Sequence, residues 1–524
     1  MTITASLTAR DRERLQTHGL SMDEVERQLA LFRHPPAHLH LMRPCTVGDG
    51  IRRLEPSAHD SYLQAHASAE AAGRLVKFVP ASGAASRMFT TLLELLESGA
   101  PCDRAALMAA AVPGSPASDA LQLVDNIDRF AFRDALADVF ERAGDSLRDA
   151  VERHDVRALV EMLVTTRGLA YGSQPKGLLA FHRYGSEVRT ALEEHLVEAT
   201  LYASDADRTC ALHFTVSPEH RSQFEARMDS VRPHYESRYK VHYDIGWSSQ
   251  KPSTDTLAVA IDGALFRTSD GNLLLRPGGH GALLENLNEL DADLVLIKNI
   301  DNVTVEDRIA DTVLWKKLLT GFLCDVQARV FEHLRALRST SASDDAVRAA
   351  CRFVRDELQI PVPTHLLQTR GAALRESLCV LLDRPIRACG MVPNSGEPGG
   401  GPAWIRDSNG AESAQIVERA QIDPRSGEQQ RIFDALTHFS PVDFACGVRD
   451  ADGRGFDLHR FVDRDAVIFT EKSCEGRRLR ALEHPGLWNG GMAGWLTVYV
   501  EIPNSTFNPV KNFLDLLRPE HQLV

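Results

Sequence analysis

The sequence predicts an α/β protein with a mixed, mainly parallel sheet and helical insertions. Three observations carry that expectation. The stretch Leu75–Leu96 opens with a strand-length apolar run, turns on Ala81-Ser82-Gly83-Ala84-Ala85-Ser86, and continues with helical apolar spacing through Met88, Leu92, Leu95 and Leu96. The order strand–helix–strand then recurs, with strand-like runs at Ala211–Val216, Leu257–Ile261 and Leu294–Ile297 separated by helix-like segments. Residues 98–168 read as helical throughout, broken at Pro113-Gly114-Ser115-Pro116, and fit an insertion rather than part of the sheet.

The elements follow in order. Residues 1–70 read as a mostly helical N-terminal segment broken at His34-Pro35-Pro36. Residues 71–305 form the predicted nucleotide-binding α/β core, which contains the insertion 98–168. Within it, Arg189–Tyr202 has helical spacing, Ser217-Pro218-Glu219 suits a helix start, and Ala282–Leu290 reads as a helix. Residues 306–385 read as a helical subdomain. Residues 386–524 carry a glycine-rich loop at Met391–Ile405, a strand with a carboxylate at its end at Gln415–Glu418, and late strands at Val467–Phe469 and Trp495–Val500.

Composition narrows the function classes. A hydrophobic content of 43% and a charged content of 25% fit a soluble globular chain, and 524 residues allow more than one domain. The net charge of −13 argues against a nucleic-acid partner, which usually shows a basic face, and leaves room for a local basic pocket for phosphates. Nine cysteines without a CxxC pair predict neither a zinc site nor a disulfide framework, and a reducing cytoplasm is expected. The N-terminal residues have no apolar signal core, and no apolar run is long enough to span a membrane.

Four stretches carry candidate chemistry. A small-residue turn between a strand and a helix lets an anion approach backbone N–H groups, and Arg87 adds a planar charged fork there. Lys176, between Pro175 and Gly177, is a loop lysine able to meet a phosphate as a point charge, or a surface turn residue. In Arg276-Pro277-Gly278-Gly279-His280-Gly281, three glycines around a histidine imply close backbone approach, to a nucleoside or within a tight turn. Asp301 follows the strand-like Leu294–Ile297, at the strand end where α/β sheets collect ligands. It suits a hard cation such as Mg2+, or a turn or helix cap.

Taken in order, Ser82–Met88, Pro175-Lys176-Gly177, Pro277–Gly281, Asp301-Asn302, Val417-Glu418 and Phe507–Asn512 resemble the motifs of UDP-sugar pyrophosphorylase-type nucleotidyltransferases. The chain as a whole resembles an uncharacterised bacterial domain-of-unknown-function family. The first resemblance implies a glycosyltransferase-A-like fold. It also implies a reaction in which a sugar 1-phosphate and a nucleoside triphosphate, UTP expected, give a nucleotide sugar and pyrophosphate with Mg2+ at Asp301. It implies Arg87 and Lys176 as catalytic, and Ala81, Ser82, Gly83, Ala84, Ser86, Gly278, Gly279, His280 and Gly281 as nucleotide-binding. It further implies a sugar-binding set in which Glu418 accepts hydrogen bonds from sugar hydroxyls and Lys472 and Lys511 contact phosphate. Ser82 and Ala85 stand where that motif has glycine, so two added side chains are expected to narrow the turn.

Two alternatives accompany this reading. A glycosyltransferase of the same fold would need a metal-binding DxD after a strand, and Asp291-Ala292-Asp293 precedes one instead. A non-catalytic nucleotide-sugar-binding protein is the other.

Overall fold

The computed structural model describes residues 7–99, 102–339, 343–361, 371–396, 399–407 and 410–523. The chain is a mixed α/β protein that divides into two compact units. Unit 1 comprises 1–76, 248–297 and 316–504, and unit 2 comprises 77–247, 298–315 and 505–524.

Unit 2 is built on the strands Leu75–Pro80, Thr209–Thr215 and His242–Ser248, in that order. The first two are parallel, with Lys77 opposite Leu212 and Pro80 opposite Thr215. Parallel neighbours need a long crossover, and the segment between them supplies it. It contains the helices Arg104–Ala110, Pro116–Asp125, Arg133–Arg142, Leu147–Glu152 and Val156–Val164, then a hairpin of Ala180–Tyr184 with Glu187–Thr190. Local sequence sets several of these helix starts. Asp103, Ser115, Ser146 and Asp155 each accept a hydrogen bond from a first-turn amide. Thr190 and Glu193 form a reciprocal capping box at the start of the helix Ala191–Tyr202. The insertion packs around Phe130 and Phe132, whose rings stack at 4.7 Å, and Phe89 stacks on Phe513 at 5.7 Å.

In unit 1 the strands Thr46–Val47, Gly50–Arg52, Leu496–Glu501, Ile386–Pro393, His438–Gly447 and Leu294–Lys298 lie in that order. Ile386–Pro393 is parallel to Leu496–Glu501 and antiparallel to His438–Gly447, so the sheet is mixed. Two smaller sheets are antiparallel. One joins His40–Pro44, Gly401–Arg406 and Glu412–Val417; the other joins Leu275–Arg276, Thr256–Ala260, Arg477–Glu483 and Ile468–Cys474. The N-terminal helices Ala9–Thr17 and Met22–Arg33 bury Leu15, Val25, Leu29 and Phe32 against Leu257, Val259 and Leu482. The first 70 residues therefore also contribute strands to both a small sheet and the large one. Beyond Lys298, the long helix Ala310–Arg338 and the helices Asp344–Arg352 and Ala372–Leu382 occupy the segment read as helical.

Three expectations change. The turn after Leu75–Pro80 does not enter an α-helix directly. It passes through a 3-10 helix, Ala85–Phe89, before the α-helix Thr90–Glu97. Ala84 has no side-chain oxygen to cap the first amides, and the Ala85 amide donates to the Gln174 carbonyl at 2.9 Å. The stretch Met391–Ile405 is, among the described residues, loop only at 394–396 and 399–400, with strand on either side. Its ends belong to Ile386–Pro393 and Gly401–Arg406 because Gly401 pairs in register with Val417; Glu397 and Pro398 lie outside the described residues. The helix expected from Ala282 is shorter, Leu283–Asn288.

Candidate functional site

Unit 2 draws together four stretches that are far apart in sequence. The Ala81 amide donates to the Thr215 carbonyl at 2.8 Å, which fixes the turn as it leaves the sheet. Ser82, Gly83 and Ala84 then stand exposed. The turn is held to the lysine loop by two backbone bonds, Lys176 N–H to the Gly83 carbonyl at 3.1 Å and Ala85 N–H to the Gln174 carbonyl. The Lys176 ammonium in turn donates to Asp301 Oδ2 at 2.9 Å and to the Val510 carbonyl at 2.8 Å. Val510 N–H donates back to the Asp301 carbonyl, and Asn508 N–H donates to Asn302 Oδ1 at 2.8 Å. The turn, Pro175-Lys176-Gly177, Asp301-Asn302 and the segment ending at Lys511 are thus one hydrogen-bonded assembly.

Charge in this assembly is partly paired. Lys176 and Asp301 are largely but not fully buried, with side chains 12% and 19% exposed. Arg87 is exposed and, among the described residues, in no ion pair. Lys511 follows Val510 directly, its ammonium 5.8 Å from the Phe507 ring centre. Ser86 is half-buried in the 3-10 helix. A Cβ added at Gly83 would meet nothing within 4 Å, so neither internal packing nor a left-handed backbone explains that glycine. Ala85 is fully buried and packs into the hydrophobic core, so its methyl group does not narrow the turn.

The loop Gly278–Gly281 belongs to unit 1, where the protein itself fills the space its glycines leave. A Cβ at Gly278 would lie 2.3 Å from the His484 ring, and one at Gly281 would lie 2.1 Å from the Pro485 carbonyl oxygen. Gly279 has φ +76°, and a Cβ there would lie 2.8 Å from a Glu483 carboxylate oxygen. His280 stacks on Trp488 with ring centres 4.2 Å apart and accepts a hydrogen bond at Nδ1 from the Leu487 amide. Its Nε2 is 3.8 Å from Glu418 Oε1. Burial lowers the His280 pKa to about 4, so the ring is neutral near pH 7. Burial, and next the Glu483 charge, raise the Glu418 carboxyl above the usual range. Lys472 is exposed on Ile468–Cys474, opposite Leu479.

The DxD-like pair in unit 1 is engaged elsewhere. Asp293 accepts from Arg74 at 2.6 Å, and Asp291 pairs with Arg449. Among the described residues no three His, Cys, Asp or Glu side chains gather as a metal cluster. Among them, too, no helix is long and apolar enough to cross a membrane.

Sequence reasoning missed a buried charge cluster beneath the unit 2 assembly. Glu198, on the helix Ala191–Tyr202, accepts from Lys77 at 2.9 Å and from Lys298 at 2.6 Å, and all three are at most 1% exposed. Burial works against the Glu198 charge, but the Lys298 and Lys77 ammoniums hold its pKa far below the ordinary carboxylate range. One turn earlier, His195 Nε2 lies 3.2 Å from the Ile300 carbonyl, the residue before Asp301. Burial, then Lys77, depresses the His195 pKa strongly, so the ring is neutral and Nε2–H donates. The signal available was a single lysine inside each of two otherwise apolar runs, LVKFV and LVLIK.

Residues 8–522 match the family model described as Domain of unknown function (DUF4301). The chain belongs to that family. No curated protein matches it. Among solved structures it is similar to a UDP-glucose phosphorylase from Trypanosoma brucei, at 12% identity over 98% of this chain and 80% of that one, with a TM-score of 0.46. It is also similar to the uridine diphosphate N-acetylglucosamine pyrophosphorylase of the same organism, at 11% identity, 93% and 71% coverage and a TM-score of 0.43. The UDP-glucose pyrophosphorylase of Leishmania major matches at 12% identity, 98% and 79% coverage and a TM-score of 0.41.

Proposed function

We propose that this protein is a nucleotidyltransferase that forms a nucleotide sugar and pyrophosphate from a sugar 1-phosphate and a nucleoside triphosphate, with UTP as the expected nucleotide. The observation that carries the reading is the Lys176 contact pair, Asp301 Oδ2 at 2.9 Å and the Val510 carbonyl at 2.8 Å, on a loop bonded to the exposed Gly83 turn. A lysine ammonium, an exposed guanidinium and an open glycine turn in one assembly suit a polyphosphate better than an uncharged ligand.

In the proposed reaction an oxygen of the sugar phosphate attacks the α-phosphorus. The bond from that phosphorus to the bridging oxygen of the β-phosphate breaks, and pyrophosphate leaves with the electron pair. Such a transfer needs positioning and positive charge more than a proton-transfer residue. Lys176 would exchange part of its contact with Asp301 for a phosphoryl oxygen. Arg87 would hold the departing pyrophosphate, and the Ser82–Ala84 backbone would line the phosphate path. Asp301 offers a single carboxylate, which fits Mg2+, an ion bound by one or two carboxylates together with substrate phosphates. Bound there, the metal would draw charge from the phosphoryl oxygens. The engagement of Asp291 and Asp293 by arginines disfavours a DxD glycosyltransferase.

The test is a pyrophosphate-release assay across nucleoside triphosphates and sugar 1-phosphates with Mg2+. Turnover with one pair is expected. Absence of turnover with every pair, alongside measurable nucleotide-sugar binding, rejects the transferase reading in favour of a binding protein.

A further inference from the structure

A cavity of about 90 Å³ lies wholly within unit 1, lined by Arg52, Gln359, Arg384, Gln415, Trp495 and Thr497 among others. A water needs roughly 10–15 Å³ of such space, so the cavity has room for several waters or one tetrahedral oxyanion. Its wall carries two guanidiniums, and among the described residues neither is in an ion pair. Arg384 donates only to carbonyls, Nε to Val380 and Nη1 to Gly494, both at 3.3 Å. Arg52 donates through Nη2 to the Asp356 carbonyl at 3.3 Å. The nearby carboxylate of Glu357 is paired with Arg329.

Two residues that line it each carry a buried donor without a partner among the described residues, Arg52 Nε and Trp495 Nε1, and Trp495 is only 4% exposed. Gln359 adopts a left-handed backbone, φ +52°, and its side chain accepts the Gly50 amide at 3.0 Å, closing one side of the cavity. Burial lowers the pKa of both arginines; for Arg52 Glu357 opposes it, and for Arg384 nothing does. Half-buried cations without a counter-ion are costly, and two of them on one small cavity leave a charge deficit that an anion would fill.

We propose that this cavity is a binding site for a phosphate oxyanion, either inorganic phosphate or the phosphoryl group of a small phosphate ester. The assignment stands independently of the transferase reading, because it uses none of that reading's residues. Arg384 and Arg52 would supply the charge, each through a terminal nitrogen.

The experiment is calorimetric titration of the full chain with inorganic phosphate and, separately, glycerol phosphate, at fixed ionic strength set with chloride. It is run on the wild type, Arg384→Met and Arg52→Met. Saturable binding of at least one probe is expected, weakened at least ~10-fold in both arginine variants, the scale of losing a charged hydrogen-bond donor. Binding of inorganic phosphate alone identifies the free ion, and binding of glycerol phosphate identifies an ester. In phosphate-free buffer Arg384→Met should melt no lower than the wild type, since it removes an unpaired half-buried charge, and phosphate should reverse that order. Absence of binding, or binding that survives either arginine change, overturns the proposal.

Discussion

The turn at Ala81–Arg87 and the loop at Pro277–Gly281 look alike in sequence, yet their glycines exist for different reasons. At Gly83 a side chain would project into open space, and the backbone is one any residue adopts. At Gly278 and Gly281 a side chain would strike the protein's own residues at 2.3 and 2.1 Å. The loop glycines are thus required by the fold of unit 1, through close approach of the segment 483–485. Gly83 is not required by the fold, and its backbone stays open to approach from outside.

This contrast can be broken by mutation. The largest effect is expected at the lysine bonded to the open turn. Lys176→Ala, and likewise Arg87→Ala, should lower kcat by at least ~100-fold in the pyrophosphate-release assay, the scale of losing one charge-stabilising group. Wild-type rates in both would remove these residues from the chemistry. Gly281→Ala should destabilise the protein by about 1–3 kcal/mol in denaturant unfolding, because a methyl group cannot share the position of the Pro485 carbonyl. An unchanged midpoint there would show that the loop relaxes and that packing does not explain its glycine.

Gly83→Ala should behave in the opposite way. Stability should stay within about 0.5 kcal/mol of the wild type, as for a surface change, while nucleoside triphosphate affinity falls. Isothermal titration checks the second half, and equal affinity in both proteins would separate Gly83 from phosphate binding.

The smallest effect concerns pH. His280 is neutral in the folded protein down to about pH 4, whereas an unfolded histidine takes up its proton near 6.5. The unfolded state then binds more protons between these values, so this group's contribution to stability is full above about 6.5 and is lost as pH falls toward 4. Replacing His280 with Asn should flatten that part of a melting-temperature profile, and an unaltered slope would show that His280 is not its source.

Several features were legible in the sequence because they depend on local pattern. The strands at Leu75–Pro80, Thr209–Thr215 and Leu294–Lys298 follow from apolar runs bounded by breakers. The helices of the insertion follow from caps such as Ser115 before Pro116 and Asp155 before Val156. Lys176 was legible as a candidate because proline and glycine flank it. Its partners were not, since the Val510 carbonyl carries no sequence mark and Asp301 lies 125 residues away. Lys77 was hidden for a related reason. A lysine in a strand reads as an exposed position, and only the helix Ala191–Tyr202, which places Glu198 against it, makes burial tolerable. Arg52 and Arg384 gave no signal, because their shared cavity depends on which strands and loops come to lie side by side.

By itself the sequence determined the α/β class, the helical insertion and the order of the small-residue turn, Lys176, Asp301 and the late segment ending at Lys511. Those properties rest on hydrophobic periodicity, capping and turn chemistry, which act over a few residues. Tertiary structure alone decided that the turn and the lysine loop are bonded, that a 3-10 helix follows the turn, and that Ala85 faces the core. It also decided that the loop glycines serve internal packing and that two arginines share a cavity. The physical reason is that hydrogen bonding and burial of charge depend on neighbours in space, and sequence spacing does not encode those neighbours.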